Sequence, residues 1–287
     1  MRITLLATAA SLYQCGAWAA EISTFRAYVD TDICARLMLG PITPSRTECS
    51  QTTGKDNAQP VLVKLTNNMV FTPNKDKTIR PLIGQLAEVS GEAKPKDGTI
   101  KLEDVKPIKP SDIPPGDPER KIVEARGKTP ADPKLWEKIR HELAMMPYTT
   151  EFDFISFTLT GGDVILTGWT VRQTNRDYAN NVVKNLPGVV TVTNNIDVLP
   201  LGSFDMQIRA AVRAAFQRNL SRYFWGSGSD IKIVVKNGQV ILLGIVLNKG
   251  DYDIAGIQAN SVANVFRVFN LLRVQSSTPK TPGQKSD

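Results

Sequence analysis

The second half of this 287-residue chain is written twice. Residues Ile155 to Gly168 (ISFTLTGGDVILTG) match Ile231 to Gly244 (IKIVVKNGQVILLG) at a constant offset of 76 residues. The same offset relates Ala179 to Ala255, Val189 to Val265, Val192 to Val268, Asn194 to Asn270 and Val198 to Val274. Upstream, Leu135, Ile139 and Leu143 correspond to Ile208, Val212 and Phe216 at an offset of 73, so the second copy holds three extra residues between its first helix and first strand. A repeated supersecondary unit constrains the fold before any other feature does, because every copy has to bury the same apolar face.

Within each copy, apolar residues at i, i+4 and i+8 mark an amphipathic helix with one buried stripe. Two alternating strands follow, meeting at Gly161-Gly162 or Asn237-Gly238, two-residue turns whose positive φ suits Gly and Asn. Asn175 and Asp177, or Asp251 and Asp253, stand near the start of a second helix, where their oxygens are expected to cap free amides. A last alternating strand runs from Val189 to Val198, or from Val265 to Val274. The unit is αββαβ: two helices shield one side of a three-stranded sheet, and the other side is expected to stay open. Gly162, Gly168, Gly188, Gly238 and Gly244 are the expected structural turn positions.

The hairpin G-x-V-x-L-x-G (Gly162, Val164, Leu166, Gly168; Gly238, Val240, Leu242, Gly244) and the closing G-V-x-x-V-x-N (Gly188, Val189, Val192, Asn194) resemble the BON domain, the module of osmotically inducible periplasmic proteins of the OsmY type. The second copy departs at Asn264, which stands where Gly188 does; Asn tolerates a left-handed backbone, so the turn is expected to survive. The resemblance covers Asp132 to Gln275 and implies binding to membranes or other envelope components, without catalysis.

The first residues carry the three-part layout of a secretory signal: Arg2, an apolar run from Ile3 to Leu12, then Ala17-Trp18-Ala19-Ala20 before Glu21. Cleavage is expected after Ala19 or Ala20; the competing reading is a buried N-terminal helix. A lipidated Cys15 fits poorly, because bulky residues precede it where small ones are required. Export leaves Cys34 and Cys49 as an even pair, and an oxidising compartment permits a disulfide between them.

Between the signal segment and the repeats lie short β-rich runs at Phe25 to Asp30, Val61 to Leu65, Met69 to Phe71, Leu86 to Gly91 and Thr99 to Val105, with Asp97-Gly98 as a hairpin turn. Their order resembles the small OB-type barrels of exported bacterial proteins, which often bind oligonucleotides or oligosaccharides; a bare interaction or spacer role is the alternative. The expected organisation is α+β. Residues 1–20 form a signal peptide, 21–109 an OB-like β-barrel domain with a disulfide, and 110–131 a Pro-rich, semi-extended linker. Residues 132–201 and 202–275 are the two tandem αββαβ domains, and 276–287 a disordered tail.

The net charge of +7 is unevenly spread: Ser203 to Gln275 holds 9 Lys and Arg against 4 Asp and Glu, whereas Asp132 to Pro200 holds 6 against 8. That places the last repeat against an anionic surface. There, Tyr223, Phe224 and Trp225 follow Arg218 and Arg222, with Arg209 and Arg213 on the preceding helix; these seven residues form the candidate membrane-binding set. The alternative is that the rings pack on the hairpin and close the core.

Catalytic signatures are absent. His141 is the single histidine and reads as a surface residue beside Glu142, with no nucleophile elbow to accompany it. Neither mature cysteine has the close partner of a zinc site. Asp30 and Asp32, or Glu103 and Asp104, are conceivable acid and base pairs that nothing isolates in a pocket. No phosphate loop is present, and no metal or cofactor is expected.

The leading expectation is therefore a non-catalytic periplasmic protein that binds anionic phospholipid surfaces, in envelope or osmotic stress protection. Its alternatives are a protein-binding or self-associating scaffold working through exposed strand edges, and a glycan-acting enzyme. Nucleic acid is excluded as a partner once export is accepted.

Overall fold

The computed structural model describes residues 22–38, 42, 44–124, 132–225 and 230–275. The expected signal segment, Cys15 and the tail at 276–287 lie outside the described residues. The first unit consists of β1 (Ile22–Thr31), α1 (Asp32–Leu37), α2 (Pro44–Lys55), β2 (Pro60–Lys64), β3 (Val70–Pro73), α3 (Asp76–Ile79), β4 (Leu86–Lys94) and β5 (Thr99–Ile108). Its strands close in the order β1-β2-β3-β5-β4, with β3 parallel to β5 and β1 antiparallel to both β2 and β4. Alternate residues fill the barrel, among them Phe25, Ala27, Val29, Leu62, Val89 and Leu102. All five strand runs seen in the sequence are present.

Helix α2 has no apolar stripe of its own, so its position comes from side-chain ties. The Cys34–Cys49 disulfide joins it to α1 across 15 residues. Closing such a loop removes about 3 kcal/mol of unfolded-state freedom. Arg46 Nε reaches Asp30 Oδ2 at 2.8 Å and Ser50 Oγ donates to Asp30 Oδ1 at 2.6 Å, a fully buried charge network under the bridge.

The expected semi-extended linker is folded over its first part. Pro110–Asp112 forms a 3-10 turn and α4 spans Pro118–Glu124. Ile113 and Val123 are buried against Tyr28, Leu65 and Leu86, and Arg26 Nη1 holds Asp117 at 2.6 Å and Glu119 at 2.7 Å. Burying each aliphatic side chain gains about 1.5–3 kcal/mol, enough to fold a proline-rich segment back on the barrel.

The repeats follow: α5 (Pro133–Ala144), β6 (Phe154–Thr160), β7 (Asp163–Thr170), α6 (Gln173–Lys184), β8 (Thr191–Val198), then α7 (Ser203–Asn219), β9 (Ile231–Lys236), β10 (Gln239–Val246), α8 (Lys249–Asn260) and β11 (Arg267–Val274). Both copies have the same register. Asp163 faces Thr191 in the parallel pair β7–β8, and 76 residues on Gln239 faces Arg267 in β10–β11. In the second copy a 3-10 turn, Ser221–Phe224, follows α7. A Cβ at Gly168 would sit 2.0 Å from the Phe154 carbonyl oxygen, and one at Gly244 1.9 Å from that of Asp230, at φ of 116° and 120°. Asn264 adopts φ 67° where Gly188 has φ 101°, as its position required.

Capping differs from expectation in the second helices. Arg172, the residue before α6, makes no side-chain cap, while Asn175 is buried and donates to the Tyr148 carbonyl at 3.3 Å. In α8 the cap is Asn248, which accepts from Asp251 N at 2.9 Å. Asp251 is instead drawn inward to accept from Tyr223 and Arg222.

Each sheet buries one face under its own helices, around Leu135, Ile139, Val164 and Leu166 in the first copy and Ile208, Val212, Val240 and Leu242 in the second. The opposite faces are not open. Trp169 and Leu199 of the first copy, Val234, Ile241, Leu243 and Phe269 of the second, and Ile33, Cys34, Leu37, Cys49 and Ala58 of the first unit make one shared core. Ile165 packs separately on Ala35, Val61 and Val63. Thr167 Oγ1 donates to the Leu37 carbonyl at 3.0 Å, Arg36 pairs with Asp197, and Arg267 Nη1 donates to the Asn57 carbonyl at 2.7 Å. The bridged α1–α2 hairpin thus occupies the side of both sheets that was expected to stay free.

Candidate binding surfaces

The seven candidate membrane-binding residues divide into buried and exposed groups. Arg209 is 3% exposed and donates to the carbonyls of Pro200 (3.3 Å) and Val235 (2.9 Å); burial lowers its pKa, with Asp205 and Asp153 opposing. It fastens α7 to the sheet. Arg213 Nε meets Glu151 Oε1 at 2.6 Å, and its guanidinium lies 4.4 Å from the Phe224 ring centre. Tyr223 is 3% exposed and its hydroxyl donates to Asp251 Oδ2 at 2.5 Å; burial and that bond raise its pKa. Phe224 packs on Phe216. Arg209 and Tyr223 are therefore core residues, because the space between α7 and the sheet needs both the ring and the long stem to fill it. Arg213 and Phe224 are half-buried beside them.

Arg218, Arg222 and Trp225 remain at the surface, and Trp225 is 76% exposed. Chain topology gathers other residues at this same end of the second repeat. Strand β10 ends there, its Ile245 51% exposed, and Leu247 (54%) follows the strand, its amide accepted by Tyr223 Oη at 2.9 Å. Arg273 is the parallel partner of Ile245, Val274 ends β11, and Lys249 opens α8. Arg222 is paired with Asp251 and Lys249 with Asp253, whereas Arg218 and Arg273 have no carboxylate partner among the described residues. Ile245 and Leu247 were missed in the sequence because an apolar strand terminus reads as core; only the position of the covering hairpin leaves them exposed.

A second surface lies between the first unit and the first repeat. It is a cleft of about 670 Å3 bounded by α1 and the β2–β3 hairpin on one side and by β7, β8 and Arg176 of α6 on the other. Asp32 borders it, its carboxyl pKa raised by burial. Asp32 Oδ1 and Arg176 Nε are buried with no hydrogen-bond partner among the described residues.

The remaining chemistry-bearing residues are dispersed. Asp30 is locked to Arg46, so it forms no acid and base pair with Asp32. Asp104 is exposed beside Lys106, 3.0 Å away, and His141 is exposed on α5. Among the described residues no group of three or more His, Cys, Asp or Glu is placed to hold a metal ion, and no helix is long and apolar enough to cross a membrane.

Among curated proteins, none matches the sequence. Solved structures of CdsD from Chlamydia trachomatis are similar to it. One is its C-terminal domain, from the structural protein of the type III secretion system, at 12% identity over 50% of this chain and 98% of that chain, with a TM-score of 0.20. Another, from structural studies of the same secretion-system protein, is 13% identical over 49% of this chain and 91% of that one, also with a TM-score of 0.20. The family profile described as BON domain matches residues 131–200 and again residues 204–276. The duplicated half of the chain, with its αββαβ register preserved in both copies, is a tandem pair of BON domains.

Proposed function

We propose that this is a non-catalytic protein of the bacterial envelope, exported to the periplasm, that seats the Trp225 end of its second BON domain on an anionic phospholipid surface. The observation that carries the reading is the exposure of Trp225, Ile245 and Leu247 together, beside Arg218 and Arg273. Each cation near such a surface contributes about 1 kcal/mol. Two unpaired cations therefore supply less than the apolar group, since a large side chain leaving water contributes about 1.5–3 kcal/mol. Binding is mainly insertion, with charge setting orientation. Sedimentation of the mature chain with phosphatidylglycerol vesicles at low salt tests this: retention is expected, and protein that stays in the supernatant would refute it.

The first unit supports an OB-type assignment through its strand order, the parallel β3–β5 pair and the helical segment between β3 and β4.

A self-associating scaffold is favoured by a different observation. Phe204 and Phe266 stack at 6.1 Å at the opposite end of the second domain, and Phe266 is 74% exposed. The strand edges support that reading less, since Ile233 N on β9 already donates to the Glu151 carbonyl at 2.7 Å. Lipid-independent oligomers in sedimentation equilibrium, abolished by Phe266→Ser, would identify it.

A further inference from the structure

The edge of a β-sheet is where a further chain can add, because its outward amides and carbonyls lack a strand partner. The two BON sheets have four such edges: β6 and β8 in the first domain, β9 and β11 in the second. Three of them are stopped. On β8 and β11 the amides of Ile196 and Leu272 are taken by the side chains of Asn194 and Asn270. Strand β9 carries Lys232 and Lys236, its Ile233 amide donates to the Glu151 carbonyl, and its Val235 carbonyl accepts from Arg209 at 2.9 Å.

Strand β6 is the repeat equivalent of β9 and has none of these guards. The counterpart of Arg209, 73 residues earlier, is Trp136, which offers no guanidinium and lies 5.6 Å from the Phe157 ring. The strand reads FISFTLT, with neither charge nor proline to repel a neighbour. Its two-residue turn makes Thr160 and Asp163 a hydrogen-bonded pair. Pairing alternates from there, so Ile155, Phe157 and Leu159 turn their amides and carbonyls outward. None of those groups has a partner among the described residues. Their side chains are half-buried, whereas the equivalent Ile231, Ile233 and Val235 of the second copy are fully buried.

The outward residues are symmetric about Phe157. A second β6 laid antiparallel across that point sets Phe157 opposite Phe157 and Ile155 opposite Leu159, and each outward amide then meets an outward carbonyl. The side chains match too: apolar residues meet apolar ones on the helix side, and Ser156 comes opposite Thr158 on the other. On β11 the same operation about Asn270 would set Arg267 against Arg273, a repulsive pair. A loose peptide has to give up its freedom to make these bonds, whereas the second copy is already extended.

We infer that two copies of this chain pair through β6 as an antiparallel two-fold dimer, joining their first-domain sheets into one continuous sheet. The inference rests on the self-associating reading and moves its contact from Phe266 to β6, away from the Trp225 end.

Sedimentation velocity of the full mature chain without lipid tests it, and a concentration-dependent dimer is expected in the micromolar range. Ser156 lies beside the two-fold axis, within reach of its counterpart across the diagonal for a long side chain. Ser156→Lys and Ser156→Glu are each expected to weaken the dimer at least tenfold, and an equimolar mixture of the two to restore it. Leu159→Pro removes an outward amide that β7 does not use, and serves where a Ser156 variant fails to fold. A chain that stays monomeric up to millimolar concentration, a dimer indifferent to these variants, or a mixture no tighter than its components would each overturn the inference. So would a monomeric chain that binds an alternating Val-Thr peptide instead. Loss of the dimer in Phe266→Ser, with the Ser156 variants silent, would overturn the β6 contact while keeping the self-associating scaffold.

Discussion

Asn270 Nδ2 donates to the Tyr252 carbonyl at 2.8 Å, tying α8 to β11. Asn194 makes the same bond to the Arg176 carbonyl at 3.1 Å in the first domain. In each, the side-chain oxygen turns to the amide two residues on, Leu272 at 3.4 Å or Ile196 at 3.2 Å. One asparagine thus fastens a helix and occupies a donor on the open edge of its sheet, where a second chain would otherwise pair.

Asn270→Ala is expected to lower stability by about 1–3 kcal/mol, the cost of leaving partly buried backbone groups unpaired. It should also raise self-association through the freed edge. Urea unfolding and sedimentation velocity read the two effects separately.

Gly244→Ala places a methyl group on the Asp230 carbonyl at φ 120°. The hairpin has to shift, and a loss of about 2–4 kcal/mol is expected, within the range of strained or overpacked sites. Val190→Ala, at an exposed residue, is the comparison and should be nearly silent.

Arg209→Met and Trp225→Ser should separate stability from membrane retention. The first removes donors to the Pro200 and Val235 carbonyls and is expected to cost about 1.5–3 kcal/mol, with vesicle retention kept. The second should leave the unfolding midpoint in place and reduce retention at least fivefold. Arg218→Ser should reduce it less.

Reducing the Cys34–Cys49 bridge, or replacing both residues by Ser, should loosen the shared core by about 3 kcal/mol. Trp169 lies in that core. In a Trp225→Phe background, acrylamide quenching of tryptophan fluorescence should rise on reduction while far-ultraviolet circular dichroism changes little.

Asp32 predicts a pH effect with a definite sign. Burial raises its folded pKa above the ordinary aspartate value, so the folded state holds this proton to higher pH than the unfolded chain does. Stability from this group falls as pH rises from the unfolded value to the folded one, and the full penalty applies above it. Asp32→Asn should therefore stabilise the protein at pH 7, with the advantage shrinking as pH approaches about 4. Urea midpoints at the two pH values decide it.

The duplication was legible because αββαβ is built from short-range patterns, and the barrel strands were legible for the same reason. Helix α2 was not: Pro44–Lys55 has no apolar stripe and is held by Cys49, Arg46 and Ser50 reaching residues of β1 and α1. The fold of Pro110–Glu124 was hidden behind its prolines. The covered sheet faces did leave a sign, since Val240-Ile241-Leu242-Leu243 is a continuous apolar run, as expected of a strand buried on both sides. Read as half of an alternating hairpin, it gave an open face. The aromatic run at Tyr223 to Trp225 was ambiguous because burial there depends on where α7 ends, and a single step of the backbone separates Phe224 in contact from Trp225 in solvent.

Phe269, from the final strand, lies in the same apolar cluster as Ile33, from the first helix. The two residues lie 236 positions apart in the sequence, so the cluster cannot close until the whole stretch between them has emerged. Contacts this distant in sequence slow folding and leave greasy surface exposed meanwhile. Late closure makes truncations that omit β11 prone to aggregate rather than to yield a smaller working protein.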